Sequence, residues 1–120
     1  MSTTSINAAS ISAGEDTTSA AIDLSGVAKP HSVGVEFSVT CSTDMDGDAR
    51  LKVLGSLDGT TFSSVGEGRP LATISNVATA TVVEVTDFIN TGFEEIKFYV
   101  ENTDNSNTID VTVKYTTNAL

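Results

Sequence analysis

The sequence predicts an all-β domain: an antiparallel β-sandwich of about eight strands, jelly-roll-like, with a flexible N-terminal arm. Three observations carry this. Residues 32–42 alternate strictly, with Val33, Val35, Phe37, Val39 and Cys41 on one face and Ser32, Gly34, Glu36, Ser38 and Thr40 on the other. Period two sustained over that length means one buried face and one wet face. Second, Ser, Thr and Val are heavily used, and the β-branched Thr and Val suit strands better than helices. Third, turn residues punctuate the chain at regular spacing, and no window of roughly 11 to 18 residues carries a helical apolar rhythm.

In order along the chain, residues 1–18 are Ser, Thr, Ala and Asn with Ile6 and Ile11 as the only anchors, and read as an arm, either flexible or ordered as a strand against a neighbour. Residues 19–120 form the single sandwich domain. A short strand over 19–25 points Ile22 and Leu24 inward, and Lys29-Pro30-His31 turns the chain into the strand 32–42. After the acidic turn Asp44–Asp48, residues 49–57 resume alternation with Leu51, Val53 and Leu57 inward. Asp58-Gly59 predicts a type I′ hairpin turn, because that pair supplies the positive φ angles, with a return strand Thr60 to Val65. Strands follow at 71–76, at 79–88 with Val83 and Val85 inward, and at 94–102 with Ile96, Phe98 and Val100 inward. The last runs from 107 to 117 with Ile109, Val111, Val113 and Tyr115 inward.

At 120 residues there is room for one core, and 39% hydrophobic content is that of a globular chain. The net charge of −10, with six basic residues scattered along the chain, cannot form the patch that replaces counterions on phosphates. Nucleic acid and anionic membrane are therefore excluded as expected partners, and the charge reads as a solubility device. The start of the chain has no basic region followed by an apolar run, so the expectation is synthesis in a cytoplasm without a signal peptide. The Met1 start and the end just after the last strand read as a whole protein and not as a domain cut from a longer one.

The chemistry-bearing inventory is short. One Cys and one His preclude an intramolecular disulfide and most catalytic constellations, so no enzyme and no catalytic residue is expected. Cys41 falls on the apolar side of its strand and reads as a buried thiol. Asp44, Asp46 and Asp48 are the candidate metal ligands, since alternate acids in a loop can offer oxygens to calcium. A solvated Asp-rich turn is the commoner explanation, and no cofactor is otherwise expected. Glu94-Glu95 are neighbours on a strand and point to opposite faces, which is no glycosidase pair. Tyr99 lies on the outward face between Lys97 and Glu101 and, with Ile6 and Ile11 of the arm, is a candidate interface residue.

Two segments carry a resemblance. One is Leu51–Phe62, a strand ending in Gly-Ser-Leu-Asp-Gly-Thr-Thr-Phe; the other is Phe93–Thr103, containing Ile-Lys-Phe-Tyr-Val-Glu-Asn-Thr. Together they resemble small β-sandwich virion proteins of tailed bacteriophages, of the capsid decoration and head-fibre type, over residues 32–117. The resemblance implies a decoration protein on the capsid surface of a virion, made in a host cytoplasm. Its partner would be the major capsid protein lattice, and it would form a homo-oligomer, a trimer being the common state. The arm would anchor it, so that a chain lacking residues 1–16 would fold but bind particles weakly. The alternative is a tail or fibre accessory module that binds a receptor or glycan.

Overall fold

The computed structural model describes residues 2–120, and among them the chain forms nine strands and one 3-10 turn. The strands are β1 (Thr3–Ile11), β2 (Asp16–Thr18), β3 (Ile22–Asp23), β4 (His31–Thr40), β5 (Asp48–Ser56), β6 (Arg69–Ser75), β7 (Thr81–Asn90), β8 (Glu95–Asn102) and β9 (Ile109–Ala119). A four-stranded sheet runs β1-β9-β4-β7, and a five-stranded sheet runs β2-β8-β5-β6 with β3 also on β8. All the pairings are antiparallel. With β2 and β3 taken as one interrupted strand, β1 pairs β9, β2/β3 pair β8, β4 pairs β7 and β5 pairs β6. That nesting is a single long hairpin. Rolling it over brings β9 beside β4 and β8 beside β5, which is a jelly roll.

The core lies between the two sheets. From the first come Val33, Val35, Phe37 and Val39 of β4 and Ile109, Val111 and Val113 of β9. From the second come Leu51, Val53, Ile96, Phe98 and Val100. All are buried, as their alternation predicts. Each side chain of this size removed from water contributes about 1.5–3 kcal/mol.

The N-terminal segment is not a free arm. Residues 3–11 are β1, hydrogen-bonded along β9, with Ile6 opposite Val113 and Ile11 opposite Ile109. Both isoleucines are buried in the core and present nothing to a partner. They sit five residues apart, an odd spacing that would send them to opposite faces of a regular strand. Register shifts between Thr4 and Ile6 and between Ile6 and Ala9, with Ala8 at φ 47°, resolve this. The extra residue between Ile6 and Ile11 restores the parity and brings both inward.

Two other expectations fail for local reasons. Asp58-Gly59 makes no two-residue hairpin. The Asp58 carboxylate accepts the Thr60 and Thr61 amides and the Ser56 hydroxyl, and closes a side-chain turn instead. The chain then crosses through a 3-10 turn at Val65–Glu67 before β6 pairs with β5, and Leu57 is left 71% exposed. On β7, Val83 and Val85 face outward. The sequence Val-Val-Glu-Val is apolar on both faces and sets no register, whereas Phe88, buried opposite Val33, does.

Candidate binding surface

The outer face of the first sheet is the open one. Across it run Val83, Val85, Asp87 and Ile89 of β7, then Ser38, Glu36, Gly34 and Ser32 of β4, then Thr112, Lys114, Thr116 and Asn118 of β9. Gly34, lacking a side chain, leaves a depression of about 200 Å³ bordered by Val85, Glu36, Lys114 and Thr116. Glu36 and Lys114 are register partners, so the centre of the face carries one charge of each sign. The apolar character is concentrated at the rim. Among the described residues, four of the seven exposed large hydrophobics, Val82, Val83, Val85 and Ile89, belong to β7. Val85 is 75% exposed, and Val83 and Ile89 are 52% exposed.

The outer face of the second sheet is charged and partly covered. Arg50 bridges Asp48 at 3.2 Å and Glu101 at 3.9 Å, pairs worth at most about 1 kcal/mol at the surface. The connection from Leu57 to Gly68 folds across this face and buries Leu54, and Lys97 sits 4.2 Å from the centroid of the Phe62 ring. Tyr99 points to this face, as its alternation requires, yet it is only 5% exposed and forms no open contact patch. β2 pairs directly beside it, and the Tyr99 hydroxyl donates to Asp16 Oδ2 at 3.1 Å. The sequence Asp-Thr-Thr of β2 carries no apolar signal that would announce this cover.

Burial, then the Asp16 carboxylate, push the Tyr99 phenol up to about 12. Its folded value lies above the unfolded 10.0, so the neutral phenol's contribution is whole below pH 10 and is lost as the pH rises towards 12. We expect chemical-denaturation stability to fall over that alkaline window, and Tyr99→Phe to remove that part of the fall. An unchanged alkaline profile in the variant would contradict the assignment.

The three candidate metal ligands do not converge. Asp44 accepts the Thr79 hydroxyl, Asp46 accepts the Asn105 amide, and Asp48 is held by the Ser75 hydroxyl and Arg50. Those two bonds hold the Asp48 carboxyl below the usual carboxylate range, Ser75 contributing most. Among the described residues no cluster of three or more acids, histidines or cysteines could hold a metal ion. The acidic turn is instead pinned from the far hairpin by Asp104, a buried residue that the sequence leaves indistinguishable from any turn aspartate. Asp104 Oδ2 accepts the Asp46 amide at 2.7 Å, and Oδ1 accepts the Ser106 and Asn107 amides at 2.9 and 2.7 Å. Burial pushes its carboxyl up, but these amides outweigh burial and hold it well below the usual range.

His31 is not in the turn but opens β4 as a buried residue, with Nδ1 3.2 Å from the Ala28 carbonyl oxygen and Nε2 3.4 Å from Asn90 Nδ2. Cys41 is buried, its thiol facing Thr43 and the Thr108 carbonyl.

No protein-family model matches this chain, and no curated protein matches it in sequence. Solved structures do. The chain is similar to a chain of the infectious bursal disease virus Gx strain structure, with a TM-score of 0.67 and 11% identity over 99% of this chain and 32% of that one. It is similar to the PBSX exported protein XepA, with a TM-score of 0.60 and 16% identity over 100% of this chain and 37% of that one. It is also similar to the CBM22-1 xylan-binding domain of Paenibacillus barcinonensis Xyn10C, with a TM-score of 0.60 and 10% identity over 100% and 94% of the two chains. At these identities the likeness is one of fold. The chain spans about a third of the length of the viral and XepA chains.

Proposed function

We propose that this chain is a structural virion protein: a non-catalytic capsid decoration protein that binds the lattice of a major capsid protein, sits on the capsid surface and stabilises the head. The observation that carries this reading is the open outer face of the first sheet, where exposed apolar side chains collect along β7 beside a depression bordered by Glu36 and Lys114. A flat, mixed face with an apolar rim suits contact with another protein. The fold likeness to a virus structure supports it. His31 and Cys41, the residues with most catalytic potential, are each bonded into their own buried surroundings.

A second reading, a glycan-binding accessory module, is favoured by the likeness to the xylan-binding domain. Against it, sugar rings stack on exposed aromatic faces, and the open face offers Ser, Thr, Val, Ile, Asn, Glu, Asp, Gly and Lys. Co-sedimentation decides between them. Purified protein is expected to pellet with capsids assembled without it, saturating at a fixed ratio, and to leave xylan unbound. Failure to pellet with capsids, together with retention on xylan or another polysaccharide, would overturn the first reading in favour of the second.

A further inference from the structure

We propose that β7 is a self-association edge. Two copies of this chain pair β7 to β7, antiparallel across a two-fold axis, and join two four-stranded sheets into one of eight. The inference does not depend on the virion reading.

Every open sandwich has edges, and an edge strand left long, regular and apolar invites another strand unless something blunts it. Most of the edges here are blunted. β1 carries two register shifts and the left-handed Ala8. β2 and β3 are three and two residues long. β6 carries Pro70 and a register shift. β7 is the exception. It pairs with β4 through ten consecutive residues without a shift, holds no Pro, Gly or Lys, and exposes Val82, Val83, Val85 and Ile89, with Glu84 on the inner row and Asp87 on the outer as its only charges.

The other edges also identify the occupant. Head-to-tail pairing, which a strand-paired trimer would require, must join β7 to a blunted edge. A two-fold pairing joins β7 to itself and supplies two regular edges at once. Charge then narrows the register. Centring the pair on Glu84 or Asp87 sets a carboxylate against its own copy, which is unfavourable. Centring it on Val85 or on Thr86 avoids both clashes and overlaps nearly the whole strand, and of the two only the Val85 centre keeps Glu84 from lying directly opposite Phe88 of the second copy. Val85 meets Val85 of the second copy, and each Val83 lies diagonally beside that pair and directly opposite Asp87 of the other copy, so the valines close over the axis on the outer face with a carboxylate at either end. On the inner row, Phe88 falls diagonal to Glu84 of the second copy. Arg69, 5.9 Å from the centroid of the Phe88 ring, is thereby brought toward that carboxylate. Among the described residues Glu84 has no ion pair within the chain.

Sedimentation equilibrium of the full chain at moderate salt tests this. A ten-residue edge falls short of the roughly 800 Å² per partner of a standard interface, so a mass twice 12.4 kDa is expected at on the order of 100 μM, with dissociation on dilution. Val85→Glu is expected to weaken the dimer at least tenfold, with an unchanged circular dichroism spectrum and only a small fall in the melting temperature of the monomer, because the side chain is already in solvent but faces Glu36 across the strand pair. Val85→Cys is expected to form a disulfide-linked dimer under mild oxidation, whereas Leu57→Cys, similarly exposed, is not. A chain that stays monomeric throughout, or a dimer indifferent to Val85→Glu, would overturn the proposal. So would a monomer whose capsid binding is lost in Val85→Glu, since the edge would then take a strand of the capsid protein.

Discussion

A chain lacking residues 2–11 is expected to lose its native fold. Those residues contain the whole of β1, and removing them takes two buried isoleucines from the core and uncovers one edge of β9 with Ile109, Val111 and Val113 behind it. Ile6 and Ile11 alone represent about 1.5–3 kcal/mol each in lost burial. The exposed surface of β9 and the lost ladder hydrogen bonds add to that, against a total stability of about 5–15 kcal/mol for a domain. A disposable anchoring arm would predict the opposite: a folded truncation with impaired particle binding. Circular dichroism and thermal melting of the truncated chain separate the two, and a cooperative melt near that of the full chain would contradict the integration of β1.

Asp104→Ala is expected to cost about 3 kcal/mol or more at neutral pH. The carboxylate is buried and accepts three backbone amides from two loops, and hydrogen bonds to a charged group are worth about 1.5–3 kcal/mol each, though not additively. Gly47 reinforces the same joint: a Cβ there would lie 2.7 Å from the backbone of Asp104, so the acidic turn can approach only as glycine. Because the folded carboxyl is held below the ordinary aspartate value of 3.8, its contribution is whole above that pH and is lost as the pH falls through the folded value. Urea unfolding at pH 7 and at about pH 3 is therefore expected to show a wild type that loses stability on acidification and an Asp104→Ala variant that loses less. Equal acid sensitivity in both proteins would remove Asp104 from the account.

The parts of the fold legible in the sequence are those where alternation alone decides. β4, β8 and β9 read correctly because period two runs through a single apolar set, such as Ile96, Phe98 and Val100. β1 was hidden by the odd spacing of Ile6 and Ile11, which only a bulge reconciles. The direction of β7 was hidden by apolar residues on both of its faces. The same ambiguity carries the candidate surface, because valines read as core by pattern are the ones the register exposes. Alternation puts Tyr99 on the right face, but a strand without apolar residues covers it. The Asp58 turn depended on which amides a carboxylate captures, and Asp104 on its burial between two loops distant in sequence. Neither leaves a mark on hydrophobic pattern.

The most direct test of the central reading is the copy number of this chain in gradient-purified virus particles from cultures that produce it, measured by quantitative mass spectrometry. Decoration of a capsid lattice predicts copies comparable to those of the major capsid protein. A few copies per particle, or none, would contradict it.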